Sequence, residues 1–195
     1  MPPIQPVTRA LLLINVAVFF LLPLLGGGIA GALALWPIGS NFMPWQVVTY
    51  AFLHGSFGHL FFNMLGLWMF GGELERLWGQ KRFIHFLLAS ALAAALVQIV
   101  WTMVIGSRVP TVGASGALFG LLLAFGMLFP NRIIMPLFPP IPMKARTFVI
   151  VFGVLELFFG LSGGGGIAHF AHLGGMLGGF LIIRFWRGQS PFGRR

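Results

Sequence analysis

A chain of 195 residues that is 58% hydrophobic and only 8% charged is not built for water, since soluble domains carry about a quarter charged residues. Its formal charge of +9 would suit a nucleic-acid binder, but the basic residues stand in short clusters between apolar runs and form no long basic helix face. Nucleic acid is therefore excluded as a partner and membrane topology is the better account. Cysteine is absent, which excludes disulfides and thiolate metal sites, and no cofactor is called for.

A membrane helix needs about 20 largely apolar residues. Taken in chain order, the sequence predicts six: 10–25, 57–77, 83–105, 112–129, 147–161 and 168–186. The first run follows a lone Arg9 without a tidy cleavage site, so it reads as a retained span rather than a signal peptide. The connection over 26–56 carries no charge but holds Trp36, Phe42, Trp45, Tyr50 and Phe52. It is expected to lie partly in the interface, where Trp and Tyr settle at headgroup level. The alternative is that the first two spans are longer than drawn. Some runs are short or broken by glycine, which is acceptable where the freed backbone groups find partners inside the protein.

Arg9, Arg76, Lys81, Arg82, Arg132, Lys144, Arg146, Arg184, Arg187, Arg194 and Arg195 then fall on one side, and Arg108 alone on the other. The positive-inside rule makes the first side cytoplasmic, together with both termini. The expected architecture is one all-α domain over 1–195 with short cytoplasmic tails at 1–9 and 187–195.

Polar side chains inside hydrocarbon are costly and tend to mark function. His59 and Asn63 stand near the start of the second span, Ser115 of the fourth and His172 of the sixth. All three spans run inward, so these groups lie roughly 5–9 Å below the outer end at 1.5 Å per residue. Independent structural polar residues have no reason to share a depth. Their types suit acyl transfer: Ser115 as nucleophile and His172 as its base. His59 and Asn63, at i and i+4, share a helix face and, with the Ser115 N–H, can hold an oxyanion.

Gly113, Gly116 and Gly120 surround the serine, and Gly175 and Gly179 form a small-xxx-small face after the histidine, which lets the two helices approach closely. His54, His85 and His169 read as supporting or structural. His169 shares the face of His172 and is the rival base. The run Ser162-Gly163-Gly164-Gly165-Gly166 is read either as a flexible connection or as a mobile outer cap.

Three segments carry a family resemblance. Gly113-Ala114-Ser115-Gly116 resembles the rhomboid Gly-x-Ser-Gly, and Ala171-His172-Leu173-Gly174-Gly175 its last-helix histidine motif. His54-Gly-Ser-Phe-Gly-His59-Leu-Phe-Phe-Asn63 is similar to the family's second-helix His-and-Asn pattern, and Glu73 and Arg76 after Gly71-Gly72 to the polar end of that helix. The resemblance covers roughly 45–187. It implies a six-helix core, an intramembrane serine endopeptidase with a Ser–His dyad, oxyanion roles for His59 and Asn63, and membrane-spanning protein substrates cut near the outer face of a bacterial inner membrane. It departs at Trp45-Gln46, where the family has Trp-Arg, and at Phe119, where Tyr is common. Phe119 is expected to stack on His172.

Two other functions compete. A catalytically dead relative that binds and escorts membrane proteins would not need all of Ser115, His172, His59 and Asn63. A channel or transporter would want more ionisable residues than Glu156 and a few histidines. The chain has no Asp, and Glu73 and Glu75 lie over 15 Å from the serine's depth by helix rise. Glu156 is in the outer half of its span. It is expected to be neutral or hydrogen-bonded to neighbours of the fifth helix, outside the reacting pair, with His172 oriented by packing on Phe119. Oligomeric state is not legible in the sequence.

Overall fold

The structure, a computed structural model, describes residues 3–137, 140–163 and 168–188. Most of the Gly-rich run at 162–166 and most of the C-terminal tail expected at 187–195 lie outside them. Helix α1 spans Pro6–Leu21 and continues as a 3-10 turn over Leu22–Leu25. Pro6 sits in its first turn, where the missing N–H is no loss. The tail drawn at 1–9 is therefore already helical from Pro6. The long connection holds α2 (Gly27–Leu33), α3 (Gln46–Thr49) and a 3-10 turn at Tyr50–Phe52.

Helix α4 (Phe57–Gly66) opens on Ser56, whose Oγ accepts from the His59 N–H at 3.1 Å, a side-chain N-cap. A π turn over Leu67–Gly71 leads into α5 (Gly72–Val104). The α5 helix is broken at Gly79, where φ is +74° and ψ 165°. Such a conformation favours glycine. Along a continuous helix, residues 71 and 83 would lie about 18 Å apart. Yet the Phe83 ring is 3.4 Å from where a Cβ on Gly71 would stand, so the chain doubles back at the break. Two of the six expected helices are thus joined by a one-residue corner. The rest are α6 (Ser115–Leu128), α7 (Ala145–Leu161) and α8 (His169–Trp186). Two strands of two residues each, β1 (Ile133–Ile134) and β2 (Met143–Lys144), pair antiparallel between α6 and α7, a small exception to the all-α expectation.

Two helical stretches, Pro6–Leu25 and Phe57–Val104, are long and apolar enough by length and composition to cross a membrane. The apolar residues left uncovered, such as Leu13 and Phe20 on α1 and Ile150, Val154 and Phe158 on α7, form the surface that hydrocarbon would cover. The protein is an α-helical membrane protein.

Helix α8 is the centre of the bundle, packed on α5 and α6. Its paired glycines make this possible. Gly174 and Gly178 face the backbone of α5 at Ala93 and Ala89, and Gly175 and Gly179 face Gly116 and Gly120 of α6. Away from the glycine seam, Leu67, Leu74, Phe83, Phe86, Leu121, Ala124 and Ile183 form a buried core.

Both ends of the bundle are tied by polar groups. Glu75, only 2% exposed, accepts the N–H groups of Val7 (2.9 Å) and Thr8 (2.7 Å) and the Thr8 hydroxyl (2.8 Å). This carboxylate from α5 thus satisfies the otherwise free donors at the start of α1, where negative charge is favoured. Glu73 pairs with Arg132, whose guanidinium also lies over Phe129 at 5.2 Å. At the other end, Gln46 is fully buried. Its Oε1 accepts from the N–H groups of Trp36 (3.2 Å) and Met43 (3.1 Å), and its Nε2 donates to the carbonyls of Ala32 (3.2 Å) and Asn41 (3.0 Å). The neutral amide anchors the connection without a charge. A bridge between Leu35 and Thr111 and a bond from the Gly113 N–H to the Tyr50 carbonyl (2.9 Å) then fix that connection against the segment leading to Ser115.

Candidate active site

Ser115 is the first residue of α6 and His172 lies in the first turn of α8, so both stand where their helices begin. The close α6–α8 contact brings the Ser115 Oγ to 2.8 Å from His172 Nε2. Phe119, one turn along α6, lies nearly parallel to the imidazole, with ring centroids 4.2 Å apart and 7° between planes. Gly116 and Gly175 are the contact itself: a Cβ on Gly175 would run into the Gly116 carbonyl. His169 does not reach the serine among the described contacts.

His59 and Asn63 project from α4 into the same cavity, of about 1100 Å³, that Ser115, Phe119, His169 and His172 line. The cavity is also bounded by Trp101 and Ile105 at the end of α5, by residues 109–112, and by Gly160 and Leu161 of α7. Gly113, at φ +128°, passes directly beneath His59: a Cβ there would stand 2.6 Å from His59 Nε2 and 3.6 Å from the Ser115 Oγ. Only glycine allows this path. His59 Nδ1 accepts the Gly55 N–H at 3.4 Å, which leaves Nε2 as the protonated nitrogen on the serine side. Asn63 Nδ2 is buried and has no hydrogen-bond partner among the described residues. As first residue of α6, Ser115 has an N–H in the set that no helical carbonyl accepts. The site therefore holds a hydroxyl against an imidazole, with three N–H donors close by.

His54 flanks His59 edge to face at 5.0 Å, outside the helix. Burial, aided by the neighbouring His59, pushes its pKa down to about 4, so it is neutral at ordinary pH.

Glu156 is hydrogen-bonded to a neighbour of its helix, one of the two states expected of it, but it is not apart from the reacting pair. Its Oε2 lies 2.8 Å from His172 Nδ1 and 2.6 Å from His169 Nδ1. The one available signal was the i, i+3 spacing of the two histidines, which presents both rings to a single neighbouring helix. These three residues also have the donor types of a divalent-cation site, their ligand atoms within 4.8 Å of one another. In the structure those atoms are engaged with each other.

An α-helical membrane bundle with a serine–histidine contact buried at the ends of two helices defines a narrow class. The family model described as "Rhomboid domain" matches residues 41–188, and the chain belongs to the rhomboid family. Among similar proteins, Rhomboid protease GluP of Bacillus subtilis is 34% identical over 140 residues, 70% of this chain and 25% of its own length. Rhomboid protein 1, mitochondrial, of Saccharomyces cerevisiae is 33% identical over 183 residues, 88% of this chain and 51% of its own. Rhomboid protease GlpG of Yersinia enterocolitica is 29% identical over 188 residues, 93% and 62% respectively. The chain thus spans between a quarter and three fifths of the length of these relatives.

Proposed function

We propose that this chain is an intramembrane serine endopeptidase that cuts single-span membrane proteins near the outer side of the bilayer. The observation that carries the reading is the 2.8 Å contact between Ser115 Oγ and His172 Nε2 inside a cavity that also holds His59 and Asn63. Two relatives named as rhomboid proteases give it weight. In the reaction, the Ser115 Oγ adds to the scissile carbonyl carbon while its proton passes to His172 Nε2. The oxyanion that forms is held by the Ser115 N–H, His59 Nε2–H and Asn63 Nδ2–H. Collapse breaks the C–N bond, and the leaving amine takes the proton from His172. Water then adds to the acyl-serine, giving its proton to His172, and the acid product leaves with Ser115 reprotonated.

The proposed topology has six spans, with both termini in the cytoplasm and the cavity toward the outside, supported by eleven of twelve positive charges on one side. Substrates reach the site from the bilayer, and a stretch that weakens their own helix is needed because helical backbone is shielded by its hydrogen bonds. A bacterial inner membrane is the proposed location. An escort protein without activity is the weaker reading, because the hydroxyl–imidazole contact and its donors are all present.

The test is cleavage of single-span substrates in proteoliposomes, with the cut mapped by mass spectrometry, and labelling of Ser115 by a fluorophosphonate. Ser115→Ala is expected to abolish both while leaving the fold intact. Activity within threefold of wild type would refute the assignment.

A further inference from the structure

We infer that Glu156 is a positioning residue for catalysis: from α7 its carboxylate accepts the Nδ1–H of His172, fixing the ring and the tautomer that presents a bare Nε2 to Ser115. The inference rests on the reading of Ser115 and His172 proposed above. It adds a third helix to the reacting pair.

The geometry carries it. Oε2 of Glu156 is 2.8 Å from His172 Nδ1, and His172 Nε2 is 2.8 Å from the Ser115 Oγ, so carboxylate, imidazole and hydroxyl form one continuous chain. The direction of the protons follows from counting them. Oε2 touches two ring nitrogens, on His172 and on His169 at 2.6 Å. A carboxyl group has at most one proton, so it cannot donate to both. If it donated to His172 Nδ1, the ring's own proton would sit on Nε2 and point at the serine, and the base would be lost. With both rings donating, every contact is satisfied at once.

The surroundings agree. Glu156 is the one ionisable residue of α7 beyond its first turns, on a helix whose other faces present Ile150, Val154, Leu157 and Phe158 outward. A carboxylate toward hydrocarbon would be expensive. Here its side chain is 13% exposed and turned to α8, where two N–H donors take the place of water. No Lys or Arg is paired with it among the described residues. The role of His169 follows: it holds the same carboxylate oxygen in place through a second N–H and does not act on the serine. In the soluble serine proteases, replacing the orienting acid by its amide leaves the shape but stabilises the wrong tautomer, at a cost of about 10⁴ in turnover. A tie between two helices that served stability alone would leave the turnover of the folded protein unchanged on amide replacement.

The experiment uses the full chain in proteoliposomes. Glu156→Gln is expected to lower kcat by at least ~100-fold with KM within threefold, and to slow fluorophosphonate labelling of Ser115 in parallel. His169→Ala, which keeps the Glu156–His172 bond, is expected to lose less than tenfold. Histidine ¹⁵N spectra of the unmodified protein, assigned with His172→Ala and His169→Ala, are expected to show His172 protonated at Nδ1. This last measurement needs no Glu156 variant to fold. Glu156→Gln retaining more than a tenth of kcat while Ser115→Ala is dead would overturn this inference alone. So would an Nε2-protonated His172, or a His169→Ala loss as deep as that of Glu156→Gln. An active Ser115→Ala would instead overturn the reading on which it rests.

Discussion

Gly175→Ala measures how tightly the α6–α8 contact controls the chemistry. The added Cβ would stand 2.5 Å from the carbonyl carbon of Gly116 and 3.1 Å from its Cα, and nearer still to the carbonyl oxygen. Ordinary contact begins near 3.4 Å. These obstacles are backbone, so none can rotate away, and the helices must part by more than about 1 Å. The 2.8 Å bond between Ser115 Oγ and His172 Nε2 lies across this same seam, and a shift of that size takes it beyond hydrogen-bond range. A 1 Å misplacement costs about 10² in rate, while overpacking costs about 1–3 kcal/mol in stability. Turnover of a single-span substrate in proteoliposomes is therefore expected to fall about 100-fold, with fluorophosphonate labelling falling in step. The control is Gly72→Ala, where a Cβ meets nothing within 4 Å. Gly175→Ala with turnover within threefold of wild type would show that the seam does not set the serine–histidine distance.

Other expectations follow from single features of the structure. Gln46→Leu leaves the Trp36 and Met43 N–H groups and the Ala32 and Asn41 carbonyls without the amide that serves them. At about 1–3 kcal/mol for each orphaned group, thermal unfolding in detergent should drop by about ten degrees or more, and an unchanged midpoint would remove Gln46 as the anchor of the connection. His54 is held neutral in the fold, with its pKa at about 4 against an ordinary 6.5. The unfolded chain therefore takes up the proton first, and His54 subtracts stability as pH falls from about 6.5 toward 4. His54→Gln should flatten that fall in a pH series of melting curves, and parallel curves for both proteins would count against it. Because cysteine is absent, Ser40→Cys and Gln80→Cys can each be probed alone: an impermeant thiol reagent on intact cells should label the first and spare the second, and equal labelling would refute the orientation.

The sequence discloses the parts of this molecule that follow from position along a helix. Depth is such a quantity, and it is why Ser115, His172, His59 and Asn63 could be grouped before any contact was known. Glycine spacing is another: residues 175 and 179 repeat at one helix turn, and they meet Gly116 and Gly120. What stays hidden is rotation about a helix axis. Helix α7 is apolar on nearly every side, so nothing in its pattern says whether Glu156 turns toward α8 or elsewhere. Its depth was readable and its partners were not. Likewise, Gln46 could be seen to replace an arginine, but its four bonds depend on how 32, 36, 41 and 43 fold around it. The two-residue strands are too short to leave a period-2 signature.

The cap that Glu75 places on α1 also has a timetable. The Thr8 N–H and its acceptor are 67 residues apart in the chain, and at about 5–20 residues per second of synthesis that gap is several seconds long. Helix α1 is therefore made before its permanent partner exists, and in that interval the N–H groups of Val7 and Thr8 must find another acceptor. Only when the start of α5 has been made does a carboxylate arrive to receive them. The bond closes a loop around everything made in between, so α1 is locked into the assembly by the first turn of α5.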